Sequence, residues 1–125
     1  MSDQNPVTVV IGATPNPSRY AYLATSRLVE KGHKVVPIGI KEGEISKVEI
    51  LDLRKKPKVE NVDTVTLYLG PSNQTEWIEY IYSLAPRRII FNPGTENEEF
   101  MRQASSNGIE CLAACTLVML SANTY

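Results

Sequence analysis

Residues that could do chemistry fall in a few places along this chain. The first is Gly12-Ala13-Thr14-Pro15-Asn16-Pro17-Ser18, which follows the β-branched run Val7-Thr8-Val9-Val10-Ile11 and precedes a helix-like segment. A strand that feeds a helix through a glycine turn leaves the helix's first backbone N–H groups exposed, and phosphates bind there. The three-glycine loop G-x-G-x-x-G, which lets the backbone approach a pyrophosphate closely, is missing. Gly12 is present, but Thr14 and Asn16 stand where the later glycines are expected, and Pro15 and Pro17 remove two N–H donors. The second place is the end of the next strand-like run, Pro37-Ile38-Gly39-Ile40-Lys41. An NAD site needs a carboxylate here, roughly 20 residues on from the glycine turn, to hold the ribose 2′-hydroxyl. No acid occurs until Glu42, and Lys41 suits a phosphorylated ribose better than a free diol. NAD is disfavoured on both counts. A nucleotide with an extra ribose phosphate, NADP or coenzyme A (CoA), remains open.

The thiols form the next candidate. Cys111 and Cys115 have a spacing that could suit a metal pair, but no second pair follows and the one histidine, His33, is far off in sequence. Four-coordinate zinc would lack ligands, and both cysteines read as small apolar core side chains. A thiol enzyme would need one of them activated by a neighbouring base, and Cys115 could then exchange with a CoA disulfide or an acyl-CoA. A small NADP- or CoA-dependent reductase would use the same crevice as a binding module, yet no Tyr-x-x-x-Lys or similar constellation stands out. The basic segment Arg54 to Asn61, RKKPKVEN, is diluted by Glu60 and has no aromatic residue, which argues for a solvated surface rather than a nucleic-acid patch.

Composition narrows the class. The 125 residues, 42% hydrophobic and 22% charged, fit one soluble globular domain. Such a chain buries about two thirds of its unfolded surface and needs no disulfide or metal to hold together. Thirteen Lys and Arg against fourteen Asp and Glu give a formal charge of −1, which argues against an electrostatic nucleic-acid binder. Met1 to Pro6 is polar and shows no secretory signal, and apolar runs of about five or six residues fall far short of the ~20 a membrane helix needs. The expected location is the cytoplasm, with neither nucleic acid nor membrane as a partner.

The elements that must position these residues alternate in type. Val7–Ile11 reads as a strand covered on both faces. Ser18 is placed to cap a helix from Arg19 to Lys31, along which Tyr20, Leu23, Ala24, Arg27 (by its stem), Leu28 and Lys31 fall near helical spacing, with Gly32 as its stop. Lys34–Ile38 is the second strand, with Pro37 marking its end or an edge. Val48–Leu51 reads as a short extra strand and Asp63–Leu69 as the third parallel strand, closed by Gly70-Pro71. Ser72 or Asn73 would cap a helix from about Gln74 to Leu84, with Trp77, Ile78, Ile81 and Leu84 on one face. Arg88–Phe91 is the fourth strand. Asn97 opens a helix that runs to about Asn107, with Gly108 as its end. Ile109–Leu112 is the fifth strand, and Cys115–Leu120 is too short for periodicity to decide between helix and strand. The fold expected is α/β, a Rossmann-like open parallel sheet of about five strands with helices on both faces. Such sheets bind ligands beyond the carboxyl ends of their strands, where strand order reverses. Gly12-Ala13-Thr14-Pro15, Gly39-Ile40-Lys41, Gly70-Pro71 and Asn92-Pro93-Gly94 all fall at such ends.

The ordered set Val10 to Tyr20, Gly32 to Ile38, Thr64 to Leu69, Ile89 to Asn97 and Cys115 to Leu120 resembles the small stand-alone CoA-binding proteins. These are similar to the N-terminal CoA-binding domain of the succinyl-CoA synthetase α subunit. The likeness covers nearly the whole chain and implies one CoA-binding domain over residues 1–125, its core at about 7–120. It implies a Rossmann-like fold that holds the ADP half of CoA or an acyl-CoA, with no metal and no evident catalysis. The family's phosphate-binding turn falls on Thr14, Pro15, Asn16 and Pro17, after Gly12 and Ala13. Its lysine beyond the second strand falls on Lys41, and its turn after the fourth strand on Asn92, Pro93 and Gly94. Gly70 and Pro71 border the same crevice, while Arg19 and Tyr20 become candidates for phosphate and adenine contacts. Two departures matter. Pro15 stands where the synthetase has glycine, so the loop presents fewer donors, and the synthetase's phosphohistidine lies in a second domain that this sequence does not contain. His33 sits at the opposite end of its strand and cannot take that role. Thr116 to Leu120 and Trp77 are the apolar residues to watch for a partner, and a homodimer is the commonest outcome when such domains associate.

Overall fold

In the computed structural model, which describes residues 6–125, strands and helices alternate as the sequence leads one to expect. The polar start read at Met1–Pro6 lies, but for Pro6, outside the described residues. The main sheet contains β1 (Val7–Ile11), β2 (Lys34–Gly39), β5 (Leu51–Asp52), β6 (Val62–Leu67), β7 (Arg88–Phe91) and β8 (Glu110–Ala113). Its spatial order is β5-β2-β1-β6-β7-β8, and every pairing is parallel. Six strands rather than five make the sheet, because the segment read as one extra strand divides. Val48–Glu49 is β4, which pairs antiparallel with β3 (Glu44–Ile45), while Leu51 and Asp52 turn back to pair with Ile38 and Gly39.

Strand order follows from β1 being flanked on both sides. Its residues alternate between faces: Val7, Val9 and Ile11 join one core, and Val10 joins the other. The first core packs against α2 (Ile78–Ser83) and α3 (Glu98–Ser106) through Tyr80, Ile81, Phe100 and Ala104. The second takes α1 (Tyr20–Glu30) and α4 (Thr116–Ser121) through Ala21, Leu28 and Leu120. Helices therefore cover both faces, and β1 is buried along its whole length, with Thr8, Thr64 and Thr66 as the buried polar residues of the two central strands. Pro37 is tolerated in the interior of β2 for a geometric reason. The carbonyl of Ile38 faces β1, so Pro37 turns its missing N–H to the other flank, where β5 begins only at Ile38.

Local details differ from the sequence reading in several places. Ser18 does not cap α1. Asn16 takes that loop instead: its Oδ1 accepts from the Ser18 N–H at 3.0 Å and the Ser18 hydroxyl at 2.8 Å, and Arg19 occupies the cap position. The buried face of α1 is Ala21, Ala24, Thr25 and Leu28, and Tyr20 and Leu23 look outward, 73% and 40% exposed. The helix expected from Gln74 begins as two 3-10 turns, Pro71–Asn73 and Thr75–Trp77, without a side-chain cap. Gln74 lies fully buried between them. Asn97 caps α3 as read, its Oδ1 accepting from the Phe100 N–H. The tail is helical, with Thr116 and Leu120 buried and Val118 exposed. Both cysteines are half-buried rather than fully in the core. His33 is exposed, its ring edge-on to Tyr125 with centroids 5.0 Å apart. No helix among the described residues is long and apolar enough to cross a membrane.

Candidate functional site

The reversal of strand order lies between β1 and β6. From β1 the chain leaves through α1 on one face toward β2, and from β6 it leaves through the 3-10 turns and α2 on the other face toward β7. The two departures open a crevice above the carboxyl ends of the strands. A cleft of about 990 Å³ occupies it.

Glycine sets the cleft floor at two points. Gly12 has φ +100°, and a Cβ there would come within 3.0 Å of the Tyr68 backbone, so the turn can pass over the end of β6 only without a side chain. Gly39, at the end of β2, would place a Cβ 2.1 Å from the Ala13 carbonyl oxygen. The close approach allows the N–H groups of Gly12 and Ala13 both to donate to the Ile38 carbonyl, at 2.9 and 3.1 Å. Pro15 has a packing role in place of glycine: its ring lies against Gly43 of the loop leading into β3, so closely that a Cβ on Gly43 would sit 2.7 Å away.

A census of donors in the turn shows what the prolines leave. Gly12 and Ala13 are committed to Ile38, the Asn16 N–H to the Thr14 hydroxyl at 3.3 Å, and the Arg19 N–H to the Asn16 carbonyl at 3.1 Å. The N–H groups of this stretch left without an acceptor among the described residues are that of Thr14 in the turn and those of Tyr20 and Ala21 at the start of α1. Side chains add the full charges: Arg19, Lys41 and Arg54 line the cleft, and Glu76 is the acid on its wall. Arg54 is paired with Asp52, Nε to Oδ1 at 3.0 Å. The Arg54 guanidinium and backbone N–H hold the Asp52 carboxyl below its ordinary range. Tyr68 forms part of the lining, and burial pushes its phenol up to about 12, so it is a neutral group at physiological pH.

The far half of the cleft is tied together from beneath. The Gln74 amide nitrogen donates to the carbonyls of Leu69 and Thr95, both at 2.8 Å, and its oxygen accepts from the Asn97 amide at 2.9 Å. One buried side chain thus joins the segment after β6 to the turn after β7. Asn92 does similar work one layer lower. Its amide nitrogen donates to the Thr66 hydroxyl and the Leu67 carbonyl, and its oxygen accepts from the Thr116 N–H that opens α4.

Of the residues singled out from sequence, Gly12, Ala13, Thr14, Pro15 and Asn16 line the cleft, as do Arg19, Tyr20, Lys41, Gly70, Pro93 and Gly94. Pro17, Pro71 and Asn92 are not part of the lining: both prolines face solvent, and Asn92 lies buried beneath the floor. The structure adds residues that sequence reasoning passed over. Tyr68 and Leu69 line the cleft and directly precede the marked Gly70, so the strand-end rule applied one step earlier would have found them. Arg54, within the basic run that reads as solvated surface, and Trp77, which reads as core or interface, also line the cleft. Cys115 lies outside the lining, and burial pushes the Cys111 thiol up, which lowers its thiolate fraction.

Residues 7–121 match the family model described as a CoA binding domain. The chain is 51% identical to an uncharacterized protein of known crystal structure, with a TM-score of 0.92, over 98% of this chain and 100% of that one. A Thermus thermophilus protein at 21% identity has a TM-score of 0.80 over 98% of this chain and 92% of its own. The dinucleotide-forming acetyl-coenzyme A synthetase 1 of Ca. Korarchaeum cryptofilum, solved with phosphate and ADP, is 23% identical with a TM-score of 0.69. That match covers 88% of this chain and 26% of the synthetase. At such identities the last two likenesses show the fold. No curated protein matches the chain.

Proposed function

The chain belongs to the CoA-binding domain family, and we propose that it is a cytoplasmic module that holds the ADP half of CoA, or of an acyl-CoA, in the cleft above β1, β2 and β6. The observation that carries the reading is the placement of the cleft's cations. Arg19, Lys41 and Arg54 all stand on the β1, β2 and β5 side, where a nucleotide's phosphates would lie. The opposite half is walled by Leu69, Trp77 and Pro93 and suits the less charged pantetheine arm.

In this arrangement the diphosphate sits at the amino end of α1, facing the Tyr20 and Ala21 N–H groups. The helix dipole contributes about 0.3–1 kcal/mol to an exposed anion and up to about 2 kcal/mol where it is partly buried. Arg19 adds a full charge beside it, and Lys41 meets the ribose phosphate. Tyr20 and Ile40, 73% and 57% exposed and both on the rim, offer apolar faces to the adenine. Because the turn's own N–H groups are mostly committed, side-chain charge and the helix end carry the anion rather than a glycine-loop cradle.

Calorimetric titration with CoA, dephospho-CoA, NADP and NAD tests the reading. Saturable CoA binding, weakened for dephospho-CoA and absent for NAD, is the expected result. Failure of all four to bind at millimolar concentration would leave the chain with the family's fold and without this ligand.

A further inference from the structure

Arg54 stands at the end of β5, a strand of two residues whose register fixes what its carboxyl end can reach. Gly39 of β2 pairs with Asp52 of β5. Lys41 and Arg54 each lie two residues beyond that pair, at the ends of adjacent strands, and both line the cleft. Neighbouring strands are about 4.8 Å apart, so β5 lies about 10 Å along the sheet from β1. That is the scale of a ribose carrying phosphates at both its 5′ and 3′ positions. The amino end of α1 and Arg19 occupy the β1 end of this span, and Lys41 and Arg54 occupy the other.

The guanidinium is also held for the task. Asp52 grips it from one side, Nε to Oδ1 at 3.0 Å and Nη2 to Oδ2 at 3.3 Å, while Oδ1 accepts the Arg54 backbone N–H at 3.0 Å. This grip caps the 3-10 turn Leu53–Lys55 and leaves the Nη1 end of the guanidinium fork directed away from Asp52. Glu42, next to Lys41, adds a further negative charge near Arg54. The local charges therefore balance without a ligand, and a phosphate would be met by a positioned fork rather than by a diffuse positive patch. Arginine suits phosphate because its planar fork matches two oxygens at once, and a fork already held loses less freedom on binding.

Resting on the CoA reading above, we propose that Arg54, positioned by Asp52, forms with Lys41 the subsite for the ribose 3′-phosphate and so discriminates CoA from nucleotides that lack it. The test is calorimetry of CoA and dephospho-CoA against the full chain, Arg54→Gln and Arg54→Lys. Arg54 is largely exposed, so neither variant threatens the core. Arg54→Gln should weaken CoA about tenfold while changing dephospho-CoA less than about twofold, as loss of one charge-assisted contact predicts. Arg54→Lys should recover part of the CoA affinity. Equal losses on both ligands, or no loss on either while the unaltered chain binds CoA, would overturn the assignment of Arg54 and leave the cleft reading standing. An unaltered chain that binds neither ligand would overturn both.

Discussion

Replacing Gly39 by alanine puts the link between the sheet and the candidate phosphate turn under direct stress. The added Cβ would lie 2.1 Å from the Ala13 carbonyl oxygen, whereas ordinary contact begins near 3.4 Å. The turn must retreat by about 1.3 Å, the difference between those distances. The Gly12 and Ala13 N–H bonds to Ile38, now 2.9 and 3.1 Å, cannot survive such a movement at hydrogen-bonding length. Two backbone bonds at about 1 kcal/mol each, together with overpacking of about 1–3 kcal/mol, give an expected loss of at least about 3 kcal/mol. For a chain of this length that is a melting temperature at least about 12 °C lower. CoA affinity should fall with it, since Ala13 and Thr14 line the cleft. Gly70→Ala is the matched control: it also lines the cleft, has φ −65°, and its Cβ would meet nothing within 4 Å. That variant should melt at or slightly above the parent temperature. Thermal melts of the two variants, followed by calorimetry, decide the matter. A Gly39→Ala protein no less stable than Gly70→Ala would refute the argument that this close approach fixes the turn.

Other outcomes follow from the same geometry. Gln74→Ala should cost about 2–4 kcal/mol, measured by urea denaturation, because it strips the half-buried Leu69 and buried Thr95 carbonyls of a shared donor. Lys41→Ala should weaken CoA more than dephospho-CoA in calorimetric titrations, and equal losses would remove Lys41 from the ribose phosphate. Arg87 grips Asp63 at 2.7 Å, and its guanidinium holds the Asp63 carboxyl below the ordinary aspartate range. A depressed carboxylate stabilises the fold above its unfolded pKa, and that contribution disappears as pH falls through the lower folded value. Arg87→Ala should therefore be less stable near pH 7, by no more than about 1 kcal/mol for so exposed a pair, and in denaturant melts the difference from the parent should shrink as pH falls through the lowered Asp63 value.

Much of the fold was legible because several signals agreed at the same residues. Val7–Ile11 is β-branched from end to end and can only be a covered strand, and Asn97 with Gly108 brackets α3 by cap and stop. The candidate site was legible through one rule, that ligands gather where strands end, and Gly12 to Asn16, Lys41, Gly70 and Pro93, marked by that rule, line a single cleft. What remained hidden depended on tertiary contacts that a local pattern does not encode. Gln74 is polar and stands at the start of the helix expected from sequence, yet hydrogen bonds with Leu69, Thr95 and Asn97 hold it fully buried between two 3-10 turns. Asn92 sits at a strand end like a ligand residue, but hydrogen bonds to Thr66, Leu67 and Thr116 direct it beneath the floor. Arg54 was lost in a basic run because β5 is two residues long, too short for periodicity to register. Pro15 weakened the phosphate reading in sequence, and its contact with Gly43 supplies a packing reason for its presence.

The central claim is that CoA occupies the cleft at the reversal of strand order. Titrating a nitrogen-15-labelled sample with CoA and following backbone amide shifts tests it most directly. The account predicts saturable shifts gathered at Gly12 to Asn16, Tyr20 and Ala21, Gly39 to Lys41, Arg54 and Leu69-Gly70, with His33 and Tyr125 at the other end of the sheet unmoved. An unchanged spectrum at millimolar CoA, or shifts centred on His33 and Tyr125, would contradict it.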